Sequence, residues 1–290
     1  MEFDFGSYVE RRKAGWVGDR PGDQYAFSGD LNVLRTLRTF RPVELAVSSV
    51  VRLGKNVYAG DLLGSAVKVG TNQYPRVYNI AKQCCDTLGI SMPQIYVVGR
   101  FDVMNAMTTG TDKESVIVIH SVLIDHFSDD ELRFVIGHEC GHIHNGHVVY
   151  LVALNWLTRL AGALLGWFVQ PAVIALQSWS RAAEITCDRA GLLCCKDVRV
   201  AQQAFLKLVT GSPKLYSELN VEQFLDQMRE GREGIGRAAE LTKSHPYVPK
   251  RIEAVKLFAE SDVYRKAVGL PGGIPLAEVD KKVAEIVKVV

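Results

Sequence analysis

Apolar residues recur at helical spacing through "DLNVLRTLRTF" (30–40) and "RPVELAVSSVVRL" (41–53), where Pro42 stands as a helix starter. The same period returns in "YPRVYNIAKQCCDTLGI" (74–90), which Gly89 ends. Two short β-branched runs, "QIYVV" (94–98) after Pro93 and "SVIVI" (115–119), read as strands, and "SAVKV" (65–69) as a further short one. The stretch "SDDELRFVIGHECGHIHNGHVVYLVALNWL" (128–157) predicts one long helix. Ser128 is its N-cap, Glu131 closes a capping box, and Asp129 and Asp130 complement the helix N-terminus. "SRAAEITCDRAG" (180–191) is helical in pattern, and the amphipathic tail "PLAEVDKKVAEIVKVV" (275–290) is expected to dock a helix on the body, with covering a cleft as the alternative. The sum is an α+β chain, mainly helical, with a small three- or four-stranded sheet beside the helix that begins at 128. A helical region over 1–64 packs on a central domain of 65–260, and 261–290 forms a helical tail.

Composition narrows the function classes more than the fold. Hydrophobic residues are 48% and charged residues 23% of 290, an ordinary globular balance, and a formal net charge of +2 gives no reason to expect nucleic acid. The first residues, "MEFDFGSYVERRKAG", lack an apolar h-region, so no secretory signal is read there. Cys84/Cys85 and Cys194/Cys195 are adjacent pairs in helical stretches, poor geometry for disulfides, which favours a reducing, cytoplasmic setting.

The apolar run "LAGALLGWFVQPAVIALQSWS" (160–180) has no charge between Arg159 and Arg181 and the length of a membrane span. A single crossing would set His142 and Glu184 on opposite sides of a bilayer. A two-helix hairpin needs roughly 40 residues in the bilayer. The 41 residues between these two include His144, Asn145, His147 and Arg159. The expectation is an apolar helical hairpin buried in the protein. A homodimer contact through 148–179, or peripheral contact with the inner membrane surface, is the alternative.

The candidate chemistry lies in "VIGHECGHIHNGH" (135–147). On a helix, positions i and i+4 lie about 40° apart, so His138 and His142 reach one cation while Glu139 flanks that face. His-Glu-x-x-His at this spacing supplies two imidazole ligands and a general base for zinc hydrolysis. On one continuous helix His147 and His144 point away from that face; neither is taken as a ligand, and each reads as a residue that backs a ligand, ends a helix or lies on the surface. His120 and His126 read as polar residues at a strand end and a helix surface. Glu184 is the preferred third ligand, with Cys187 as its rival. Asp188, one turn on, is placed to accept the free ring N–H of a ligand histidine.

Four motifs together resemble the HtpX-like heat-shock protease and CAAX prenyl endopeptidase family of zinc metallopeptidases: "NAMTTG" (105–110), "VIVIHSVLIDHFSDDELRFVIGHECGH", "RAAEITCDRAG" and "SHPYVPKRI" (244–252), in the family's order over about 65–260. The resemblance implies a zincin-like fold with one zinc ion held by His138, His142 and Glu184. Glu139 would be the base and Asp188 an aspartate that orients a ligand. It further implies a sheet-edge strand along the cleft, here 115–119, on which an extended substrate pairs through Val116, Ile117 and Val118. Asn105 and Ala106 would lie near that substrate's main chain. His245 would stabilise the oxyanion, and Arg251 would fix a helix or pair with a carboxylate. The implied activity is an endopeptidase acting on extended or unfolded protein segments. A non-catalytic zincin-fold binding module and a zinc hydrolase of lipid-modified peptides are the rival readings.

Overall fold

The computed structural model describes residues 22, 24–37, 43, 47, 64–111, 114–161, 166–230 and 246–288. Helix α1 (Ser28–Leu37) leads into β1 (Ala66–Lys68), α2 (Pro75–Leu88), β2 (Gln94–Val98), β3 (Ala106–Gly110) and β4 (Ser115–His120). Then come α3 (Ser121–His126), α4 (Asp129–His144), α5 (Val148–Ala161) and α6 (Gly166–Cys195). The remainder is α7 (Val198–Thr210), α8 (Pro213–Ser217), α9 (Val221–Glu230), α10 (Val248–Ala259), α11 (Asp262–Ala267) and α12 (Leu276–Val287). The expected helix over 41–53 lies almost wholly outside the described residues.

The strands form one mixed sheet in the order β1-β2-β4-β3. β1 pairs antiparallel with β2, β2 parallel with β4, and β3 antiparallel with β4 in the register Thr108↔Ile117. Ile95, Val97, Ile117 and Ile119 enter the main core with Ile80 and Cys84 of α2, Phe134 and Ile136 of α4, and Phe205 of α7. The chain is therefore mainly helical α+β, with a small four-stranded sheet, as its pattern predicts.

Helix α4 begins with the expected capping box. Ser128 Oγ accepts from the Glu131 N–H at 3.3 Å, and Glu131 Oε2 accepts from the Ser128 N–H at 2.8 Å. It is not continuous with α5. The helix stops at His144, Gly146 takes φ +66°, and α5 starts at Val148. A left-handed residue is one that glycine adopts at little cost, and it breaks the helical ladder here. The single long helix of the sequence reading is thus two helices with a three-residue link.

Over 170–180 one face of the apolar stretch is packed inside the chain, while Ile174 on the other face is exposed. Ala172, Val173, Leu176 and Trp179 of α6 form a second core with Val149 and Ala153 of α5 and Leu34 and Leu37 of α1. Among the described residues, no helix is long and apolar enough to cross a membrane. The tail also docks. Val279 and Val283 of α12 are fully buried against Ala182, Ile185 and Ala254, a contribution of roughly 1.5–3 kcal/mol each. Its Asp280 pairs with buried Arg189 of α6 at 2.6 Å.

Candidate metal centre

Helices α4 and α6 cross closely because the contacting side chains are missing. A Cβ on Gly141 would lie 2.8 Å from the Ala190 Cβ and 3.1 Å from the Cys187 Cα. On Gly137 it would lie 2.7 Å from the Cys194 Cβ. That approach brings Glu184 and Asp188 of α6 over the histidines of α4.

His138 Nε2 lies 3.5 Å from Glu184 Oε2, and His142 Nε2 lies 3.4 Å from Glu184 Oε1. All three ligand-type atoms fall within 4.8 Å of one another and the three residues are buried. Ligands about 2.05 Å from a tetrahedral zinc stand roughly 3.3 Å apart, so the set fits such an ion. The charge balance agrees. Glu184 and Asp188 face the guanidinium of Arg251, and with Glu139 also buried the three carboxylates leave a surplus of negative charge that a divalent cation would offset.

The surrounding contacts fix these groups. His138 Nδ1 is 2.9 Å from Asp188 Oδ1, which turns Nε2 inward. Arg251 of α10 donates to both Asp188 oxygens, from Nε at 2.8 Å and Nη2 at 2.6 Å, and Nη2 is 3.2 Å from Glu184 Oε2. Thr108 of β3 donates to Glu139 Oε2 at 2.6 Å. Burial works against a charge on His138, but Glu184 and Asp188 outweigh it and raise its pKa above the ordinary value. For His142 burial prevails over Glu184, and the pKa falls. Burial, with Glu184, Asp30 and Asp188 nearby, pushes the Cys187 thiol well up. Its Sγ contacts His147 Nδ1 at 3.6 Å. Glu184, the preferred ligand over Cys187, is the residue that faces both Nε2 atoms.

The sequence model of Peptidase family M48 matches residues 71–258. The chain belongs to peptidase family M48. It is 36% identical over 177 residues to the plastoglobule-localized metallopeptidase 48, chloroplastic, of Arabidopsis thaliana, covering 58% of this chain and 49% of that protein. It is 26% identical over 202 residues to the protease HtpX of Acinetobacter baumannii, covering 58% and 66%. A protease HtpX homolog of Tropheryma whipplei matches at 35% over 85 residues, 29% of each chain. The chain thus matches at most about two thirds of the length of these curated relatives, and only half of the first.

Within this M48 chain, one expectation needs correcting. Strand 115–119 is not the sheet edge. Val116, Ile117 and Val118 are paired to Gln94, Ile95 and Tyr96 on one side and to Thr109, Thr108 and Met107 on the other. The edge strands are β1 and β3, and β3 is the one that runs beside α4. Its Ala-Met-Thr-Thr-Gly sequence lacks apolar alternation, so periodicity gives no strand signal there. Ala106 opens β3 opposite Ile119, and the Asn105 carbonyl accepts from the His120 N–H at 3.0 Å. His120 sits at a strand end and His126 on the exposed surface of α3, as expected. His245 lies outside the described residues. Sequence reasoning also missed Thr108, and it placed His147 on a continuous helix. The Gly146 break instead puts His147 Nδ1 3.3 Å from His142 Nδ1. His144 meets the Tyr25 hydroxyl at 2.9 Å. All six cysteines are free.

Proposed function

We propose that this chain is a zinc-dependent endopeptidase with Glu139 as general base. The observation that carries the reading is the convergence of His138, His142 and Glu184 beside Glu139, whose carboxylate is held by the Thr108 hydroxyl. Two imidazole nitrogens and a carboxylate suit zinc, and three protein ligands leave a position open. Zinc, when bound, supplies Lewis acidity that acidifies water and polarises a peptide carbonyl. Glu139 takes the proton from the attacking water and returns it to the leaving amine, because its Oε2 is oriented by Thr108 and its burial keeps bulk water away. Asp188 and Arg251 hold His138 and Glu184 in place. His245 remains our candidate for stabilising the oxyanion.

A substrate in extended form would add to β3, so its main chain runs along 106–110 rather than along 115–119. Thr108 then ties the substrate-binding strand to the base. We assign the working site to a reducing compartment, consistent with six free cysteines. For the exposed residues of 148–179, such as Ile174, the proposal is a homodimer contact or peripheral membrane contact.

The test is digestion of casein by zinc-loaded wild type and Glu139→Gln. Cleavage by the wild type, lost in the variant while zinc stays bound, supports the protease. Two zinc-loaded proteins that both fail to cut would favour a non-catalytic binding module.

A further inference from the structure

His142 needs a partner on its outer nitrogen, and the structure supplies one indirectly. Where Asp188 touches His138 directly, His142 Nδ1 faces His147 Nδ1 at 3.3 Å, and His147 Nε2 in turn lies 3.0 Å from Asp30 Oδ2, off the axis of the ring N–H. Asp30 belongs to α1 and lies before the residues matched by the M48 family. It is fully buried, as are His147, Trp179 and Thr186. The Trp179 indole donates to Asp30 Oδ1 at 2.8 Å and the Thr186 hydroxyl to Oδ2 at 2.8 Å. Trp179 also packs edge-on against the His147 ring, with centroids 5.3 Å apart. A buried carboxylate costs too much to leave without partners, so Trp179 and Thr186 fix Asp30 beside the His147 ring.

We propose that Asp30 is a positioning residue of the metal centre, acting on His142 through His147. The inference rests on the metal reading above. The proton positions follow from one choice. If His142 uses Nε2 toward the metal, its Nδ1 carries hydrogen and needs an acceptor. His147 Nδ1 accepts only when the His147 proton is on Nε2, and Asp30 is the carboxylate that favours that tautomer. Helix α1 is then part of the site, although it lies outside the family-matched segment. The Gly146 break makes the contact, because it folds the chain back so that His147 reaches His142.

The experiment measures zinc affinity by chelator competition, metal content, and the visible absorption of the cobalt-substituted protein, all on the full chain. Asp30→Asn keeps the shape but removes the charge, and His147→Gln breaks the link. Each is expected to weaken zinc by about 10–100-fold and to shift the cobalt bands. The double variant should bind no more weakly than His147→Gln alone, since both act along one path. Tyr25→Phe is the structural control. It removes the hydroxyl that contacts His144 and accepts from Asn145 at 3.0 Å, loosening the same segment without touching Asp30. It is expected to lower the melting temperature and leave zinc affinity unchanged.

Equal zinc affinity in Asp30→Asn and Tyr25→Phe would overturn the proposal and leave the metal reading standing. Two metal ions per chain, falling to one in Cys187→Ser, would also overturn it, because His142, His147 and Cys187 would then be ligands of a second ion. A wild type that takes up no metal would remove the metal reading itself.

Discussion

Arg251 donates to both oxygens of Asp188, at 2.8 and 2.6 Å, and the aspartate's Oδ1 is also 2.9 Å from the outer nitrogen of His138. One buried carboxylate thus joins α10 to the metal face of α4. Arg251→Met leaves that carboxylate without its cation, and breaking a buried pair from one side costs about 3–5 kcal/mol. Urea denaturation should show that loss. Arg251→Lys recovers only part, because an ammonium cannot make the two-pronged contact. An unfolding free energy unchanged in Arg251→Met would contradict this.

Thr108→Val removes the hydroxyl from Glu139 and changes the shape little. A hydrogen bond to a charged group is worth about 1.5–3 kcal/mol, so kcat should fall by about 10–100-fold at unchanged zinc content. Thr108→Ser should restore most of the rate. Steady-state kinetics on metal-quantified protein decides it, and equal rates in all three proteins would show the contact to be idle.

Gly141→Ala probes the helix crossing. The added methyl falls within 2.8 Å of the Ala190 side chain and 3.1 Å of the α6 backbone, so the helices must separate. Overpacking costs about 1–3 kcal/mol. Separation also draws Glu184 away from His142, and zinc affinity should drop with stability. Ala190→Gly in the same chain should relieve part of both. A variant as stable and as tight for zinc as wild type would show that the crossing has slack.

The raised pKa of His138 gives a pH dependence. Burial opposes its charge, yet Glu184 and Asp188 make the imidazolium the favoured form in the metal-free fold. That stabilisation is fully present below the unfolded value of about 6.5 and is lost as pH rises through the raised folded value. Zinc needs the neutral ring and must displace this proton, so apparent affinity rises with pH across that window and then levels off. In Asp188→Asn the levelling moves to lower pH. Calorimetric zinc titrations in two buffers of different ionisation heat count the released protons, and a flat profile across the window would contradict the assignment.

Much of the site was legible because it is local. The His138/His142 pair, flanked by Glu139, follows from helical spacing, and Ser128 with Glu131 marks where the helix starts. Glu184 and Asp188 follow the same rule on a second helix. The relation between the helices was less legible. Gly137 and Gly141 signal close approach only once Cys194 and Ala190 are known to face them. The capping signal does not reveal the break at Gly146, and without it helical spacing cannot show that His147, among its possible places, stands behind His142.

The sequence by itself determined most of the elements, the candidate metal ligands and the mainly helical α+β class, since periodicity, capping and i,i+4 spacing act over a few residues. Tertiary structure decided that β4 is an inner strand and β3 an edge, because strand order depends on backbone pairing between segments and β3 carries no apolar alternation. It also decided that α1 and α12 pack onto α6, placing Asp30 beside His147 and Asp280 on Arg189. Those contacts join residues far apart in the chain, and only the burial of apolar faces brings them together.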